Sequence, residues 1–332
     1  MNSYTIDELS EGVLKGNRRM LAKAISLVES TCNRDIPNAQ RLLERVLPFS
    51  GKAYRLGITG VPGVGKSTFI ESLGLNLIEK GHKIAVLAID PSSERSGGSI
   101  LGDKTRMVEL GKRESAFIRP SPSSGSLGGV ARKTRESILL CEAAGFDVVF
   151  VETVGVGQSE VLVSSMVDFL LLLLLPNAGD ELQGIKRGIM EIADAIVIHK
   201  ADGEQREMAQ IARSQIQSVL FFLPPREGNW MPRVTIGSAL QKDGLEEVWQ
   251  ICRDFFSRPE IKETRRANQS CQWVHKLVQE KLHSVFYHNP AVRLKFPALE
   301  NAVLSRTRTP TAAAVELLQT FREHFNAEDL EL

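Results

Sequence analysis

Between residues 55 and 236 the chain carries seven short apolar runs, at 55–59, 83–89, 116–119, 148–152, 169–175, 195–199 and 234–236. Most are separated by stretches long enough for a crossover helix, and that alternation predicts an α/β fold with a mostly parallel sheet covered by helices on both faces. The longest run, 169–175, is far too short to span a bilayer and reads as a buried central strand. The flanks differ. Leu21, Ala24, Ile25 and Val28, then Ala39, Leu42, Leu43, Val46 and Leu47, recur at helical spacing and predict an amino-terminal helical extension over 1–50. Beyond the central domain, 51–256, the strand signal stops. Val274, Leu277, Val278, Leu282, Val285 and Phe286 form one helical stripe, and Ala314, Leu317, Leu318, Phe321 and Phe325 form another. Thr309 and Pro310 suit the N-cap and first position of that last helix. These stripes, in a region taken as 257–332, either pack on the domain or form an oligomer interface.

The strongest chemical signal lies just after the first run. Gly60-Val61-Pro62-Gly63-Val64-Gly65-Lys66-Ser67 is a complete GxxxxGK[ST] pattern between a predicted strand and a helix predicted over 68–79. Glycines let the backbone fold so that successive N–H groups point inward as an anion nest, and the helix, opening at Thr68, adds its positive end. Lys66 then reaches the β and γ phosphates, and the Ser67 hydroxyl suits Mg²⁺. The pattern marks a P-loop nucleoside triphosphatase. Asp90, Asp103 and Glu152 are the acidic candidates to complete the metal site. Asp90 and Glu152 end predicted strands, where ligands bind in such sheets, and Mg²⁺ takes only one or two carboxylates.

His199-Lys200-Ala201-Asp202 matches the guanine-reading NKxD pattern except that His replaces Asn. A carboxylate at Asp202 accepts from guanine N1–H and the 2-amino group, whereas adenine leaves it unpaired. The Lys200 stem can lie across the base. An imidazole at 199 is expected to donate one hydrogen bond without reproducing both functions of an amide. Ser238-Ala239-Leu240 suits a second base-contacting loop. In Glu152-Thr-Val-Gly155-Val156-Gly157-Gln158, Val156 stands where small GTPases carry a water-orienting Gln, so slow turnover that a partner accelerates is expected.

Composition narrows the class further. With 42% hydrophobic and 24% charged residues the chain can build a core, and 41 basic against 40 acidic residues give no long-range pull toward nucleic acid or an anionic membrane. Cys32, Cys141, Cys252 and Cys271 are scattered without a CxxC, as expected for a reducing compartment. The segment MNSYTIDELSEGVLKG lacks the apolar core of a secretory signal, so a soluble cytoplasmic protein is expected.

Taken jointly, GVPGVGKSTFIE, AIDPSS, GGSILGDKTRM, AFIRPSPSSGSLGG, ETVGVGQSE and DELQGIKRGIMEIAD resemble the MeaB/ArgK-type GTPases across most of the chain, most densely from 55 to 203. The resemblance implies a GTP- and Mg²⁺-dependent chaperone of an adenosylcobalamin-dependent acyl-CoA mutase, chiefly methylmalonyl-CoA mutase. Cobalamin would be met only through that partner, and a homodimer would form through the carboxy-terminal helices. It places Asp90 and Asp103 in a first switch, Glu152 to Gln158, including Gly155, in a second, and Asp180, Gln183 and Lys186 in a further switch loop. Two rivals share the P-loop: a nickel-inserting GTPase, for which no Cys/His cluster is present in the sequence, and a kinase acting on a small molecule or protein, which the KAD motif argues against.

Overall fold

A computed structural model describes residues 4–89, 107–121, 127–153, 159–176 and 187–326. Its centre is a seven-stranded sheet in the order β3-β2-β4-β1-β5-β6-β7. The strands are β1 (Tyr54–Gly60), β2 (Ile84–Ile89), β3 (Ala116–Ser121), β4 (Val148–Thr153), β5 (Phe169–Leu174), β6 (Ala195–His199) and β7 (Arg233–Gly237). Each coincides with a predicted run, and every pairing is parallel, so the sheet is wholly rather than mostly parallel. Strand β5 is buried throughout, as its unbroken apolar run requires.

Three helices, α1 (Ile6–Leu14), α2 (Arg18–Val28) and α3 (Ile36–Val46), form the amino-terminal extension. Thr5 and Glu8 make a reciprocal capping box at the start of α1, and Asn17 caps α2 through Arg19 N and Met20 N. The predicted faces are buried except for Leu47, which sits in a 3₁₀ turn and is half exposed.

Helices follow the strands: α4 (Lys66–Glu79), α5 (Val108–Gly111), α6 (Leu127–Ala143), α7 (Ser159–Ser164), α8 (Arg187–Ile192), α9 (Gln205–Phe221) and α10 (Leu245–Phe256). Strand parity decides which helix each strand residue meets. Leu56, Ile58, Val148, Phe150, Leu171, Leu173, Ala195 and Val197 share a core with Phe69, Ile70, Leu73 and Leu77 of α4 and with Val248, Trp249 and Phe255 of α10. Leu172, Leu174, Ile196 and Ile198 face the other way, onto α8 and α9. Glu152 and His199 continue the first set by even steps along their strands, so both point to the α4 side.

At the amino ends of the central strands, buried carboxylates take the place of ladder partners. Asp168 Oδ2 accepts from Arg55 N at 3.0 Å, and Asp194 Oδ2 accepts from Leu170 N at 2.8 Å. Arg266 donates to both Asp168 oxygens at 2.6 Å, and Arg265 grips Asp194 at 2.8 and 3.0 Å. Asp194 is 1% exposed, so Asp194→Ala leaves the Leu170 N–H without its acceptor and strips the buried Arg265 of its paired carboxylate. That change is expected to cost roughly 3–5 kcal/mol in urea unfolding. Asp194→Asn, which keeps one acceptor oxygen, should lose clearly less.

Helices α11 (Pro259–His288), α12 (Pro290–Leu304) and α13 (Pro310–Glu323) complete the described chain. Its contacts separate a unit Met1–Arg266 from a unit Ala267–Leu332, and α11 begins in the first and ends in the second. Within the second unit Val292, Leu299, Ala313 and Leu317 form a small core flanked by Phe286, Phe296, Val303 and Phe321. Thr309 caps α13 through Ala312 N at 3.2 Å and Pro310 occupies its first turn, as predicted. The stripes are only partly buried. Ala313 rather than Ala314 faces the core, Leu318 and Phe325 are exposed, and Val274, Val278 and Leu282 lie exposed one helical turn apart along α11. All four cysteines are free thiols. Among the described residues no helix is long and apolar enough to cross a membrane.

Candidate functional site

The sheet changes direction at β1. The chain lays β4 on one side of it and β5 on the other, and the crevice beyond the carboxyl ends at such a switch point is where parallel sheets bind ligands. The GxxxxGKS loop leaves β1 at that point. Gly60 has φ 148° and Gly65 φ 99°, and a Cβ on Gly60 would lie 2.4 Å from the Leu173 carbonyl oxygen, so both positions exclude a side chain. Helix α4 begins at Lys66, two residues before the predicted start, which puts Lys66 and Ser67 in its first turn. No side chain caps this helix. Lys66 is buried, and its Nζ donates to Gly60 O at 2.7 Å and Val61 O at 3.2 Å.

The register Ile58↔Glu152 brings β4 level with the start of the loop. Ser67 Oγ donates to Glu152 Oε1 at 2.8 Å, and Glu152 is 3% exposed. Beside this pair, Thr153 Oγ1 donates to Thr59 Oγ1 at 3.1 Å. Of the predicted metal residues, Ser67 and Glu152 are thus brought into contact. Asp90 and Asp103 lie outside the described residues, as do Gly155, Gln158, Asp180, Gln183 and Lys186. Among the described residues no group of three or more His, Cys, Asp and Glu side chains gathers as a metal site.

The base-side residues converge on the same loop. Lys200 adopts φ 60°, a left-handed turn that sends its Nζ back to Gly63 O at 2.7 Å. Asp202 Oδ1 accepts from Ser238 Oγ at 2.8 Å, so the turn after β6 and the loop after β7 meet through the carboxylate. Ala239 is buried and Leu240 is exposed. His199 has the one donated hydrogen bond expected of it and accepts a second. Its Nδ1 lies 2.8 Å from Val64 O, and its Nε2 accepts from Ala239 N at 3.2 Å. An imidazole carries its two nitrogens on opposite edges, and here it fills both roles. Burial pushes its pKa below the usual value; the Val64 hydrogen bond opposes this, Lys200 adds to it and Asp202 again opposes it. Two contributors had no motif to reveal them: Ser72 of α4, whose Oγ donates to Ala239 O at 2.9 Å, and Asp243, which bridges Ser238 backbone to backbone and pairs with Arg206 at 2.7 Å.

A loop of glycines at a strand-to-helix switch, with a lysine, a serine–glutamate pair and a KAD turn on its rim, is a P-loop nucleotide site that carries a guanine-type base turn. Residues 21–291 match the family described as methylmalonyl Co-A mutase-associated GTPase MeaB. The chain belongs to the MeaB family of GTPases. A probable GTPase of Mycobacterium tuberculosis is 50% identical over 318 residues, 95% of each chain. The GTPase ArgK of Escherichia coli is 45% identical over 328 residues, 96% of this chain and 98% of that one. The mitochondrial methylmalonic aciduria type A homolog of Mus musculus is 47% identical, over 96% of this chain and 80% of that one. A crystal structure described as a LAO/AO transport system kinase superposes with TM-score 0.78 at 38% identity, covering 97% of this chain and 99% of that one. The likeness to that crystal structure therefore extends through both flanking helical regions.

Proposed function

We propose that this MeaB-family GTPase hydrolyses GTP to GDP and uses the nucleotide state to gate cobalamin loading into an adenosylcobalamin-dependent acyl-CoA mutase, methylmalonyl-CoA mutase, and to protect it. One observation carries the nucleotide half of this reading. The buried Lys66 ammonium, the Ser67–Glu152 pair and the Asp202 turn all border a single loop of inward-folded backbone. In that arrangement Gly60 to Thr68 hold the phosphates, Lys66 offsets their charge, and Asp202 selects guanine with Lys200 alongside the base. Ser67 and Glu152 would hold Mg²⁺, since a hydroxyl and a carboxylate 2.8 Å apart are the hard oxygen donors it prefers. When bound, the ion neutralises developing charge on the phosphate oxygens. We place Asp90 and Asp103 as further contributors to that site. Gly155, Gln158, Asp180, Gln183 and Lys186 serve as the segments that report nucleotide state.

The mutase half is supported by the family description and by the name of the mouse relative. The exposed Val274, Val278 and Leu282 stripe supports a homodimer through the carboxy-terminal helices. We propose a functional division into 1–50, 51–256 and 257–332. The test is recovery of partners from cobalamin-supplied extract with a non-hydrolysable GTP analogue and with GDP. A mutase should be retained with a nucleotide-dependent yield and should raise the rate of phosphate release. Recovery of an unrelated metalloenzyme instead, or transfer of labelled phosphate to an acceptor rather than to water, overturns the assignment.

A further inference from the structure

At the end of β6 one buried ring touches both of the loops that flank it. His199 is 3% exposed. Its Nδ1 meets a carbonyl, Val64 O, which can only accept, and its Nε2 meets an amide, Ala239 N, which can only donate. That pairing fixes the tautomer: the proton sits on Nδ1, Nε2 is bare and the ring is neutral. The ring is also held sterically. Phe69 of α4 packs edge-on at 5.4 Å, and a Cβ on Gly65 would lie 2.9 Å from His199 Cε1. Ala239 is fixed on its other side by Ser72. The imidazole is therefore a strut with one end on the phosphate loop and the other on the base-contacting loop.

We propose that His199 is a positioning residue for guanine nucleotide, its neutral Nδ1–H imidazole setting the spacing between phosphate loop and base loop. Protonation would turn Nε2 into a donor facing the Ala239 N–H at 3.2 Å, which replaces a hydrogen bond by a repulsion in a buried place. Affinity then falls as pH drops through the imidazole pKa of the nucleotide-free protein, which lies below its usual value, and is unaffected above it. Among the described residues the charged groups that act on the ring are Lys200 and Asp202, both from its own turn, while the groups packed on it from α4 and from the two loops, Phe69, Val64 and Ala239, carry no charge. All are kept in the variants below, so differences between variants isolate position 199. An amide at that position can also donate to Val64 and accept from Ala239, but it does not titrate.

The experiment titrates fluorescent GDP into the full chain and into His199→Asn and His199→Ala between pH 8 and pH 5. The ring nitrogens of the wild type are followed by ¹⁵N NMR over the same range, and thermal melts confirm folding. Expected are an Nδ1–H signature, about tenfold weaker binding by His199→Ala at pH 8 and rescue of that loss by His199→Asn. The ratio of wild-type to His199→Asn Kd should climb toward tenfold per pH unit once the ring protonates. An Nε2–H ring, a His199→Ala protein that binds like wild type, or a flat ratio while the ring titrates overturns the inference alone. The inference rests on the guanine-nucleotide reading, and no GDP uptake by the wild type at any pH overturns both.

Discussion

Lys66→Ala is expected to lower kcat/KM for GTP by at least about 10²–10³-fold, the loss typical of removing one preorganised charge donor from a reacting oxyanion. The substitution acts twice. It deletes the cation proposed to meet the β and γ phosphates, and it deletes the two hydrogen bonds, at 2.7 and 3.2 Å, by which the same ammonium straps Gly60 and Val61 to the helix. Lys66→Arg separates the two roles. It keeps the charge but replaces a compact ammonium with a planar fork that does not match this loop, so most of the loss should persist. Calorimetry of Mg²⁺-dependent uptake together with phosphate release is the measurement. A Lys66→Ala protein that takes up GTP as the wild type does would remove the basis of the phosphate-site reading.

Asp202→Asn should reverse the base preference while leaving the fold intact. The carboxylate accepts from Ser238 at 2.8 Å, and an amide oxygen can do the same, so the melting temperature should hardly move. Toward the base the change is severe. Guanine presents two donors, and the new NH₂ group leaves one of them facing another donor, a mismatch expected to weaken GTP by about 10²-fold or more. Xanthine has a carbonyl where guanine has its amino group, so xanthosine triphosphate should gain over the wild-type protein. Competition binding with the two nucleotides decides it. Unchanged GTP affinity in Asp202→Asn would mean that Asp202 does not read the base.

Much of this was legible before any fold was known. All seven strands and the start of α13 at Thr309–Pro310 lay where local pattern put them, since short apolar runs, capping residues and Gly-rich turns are decided by neighbours a few residues away. The carboxy-terminal stripes were harder. Helical spacing marks an apolar face without saying which of its residues finds a partner, and Ala313 took the place predicted for Ala314. The second hydrogen bond of His199 was hidden for a different reason. The number of hydrogen bonds an imidazole makes depends on what stands at its two edges, and Val64 and Ala239 are 135 and 40 residues away.

The linear order of residues thus determined the elements, the phosphate-binding turn and the chemical classes of the groups at the site, because each depends on covalent neighbours and side-chain type. Tertiary structure alone decided the strand order, the parity that turns Glu152 and His199 toward α4, and the pairing of Arg265 and Arg266 with Asp194 and Asp168. Those choices depend on burying both faces of one sheet at once, and a buried polar group must find its partner wherever the packing brings one within reach.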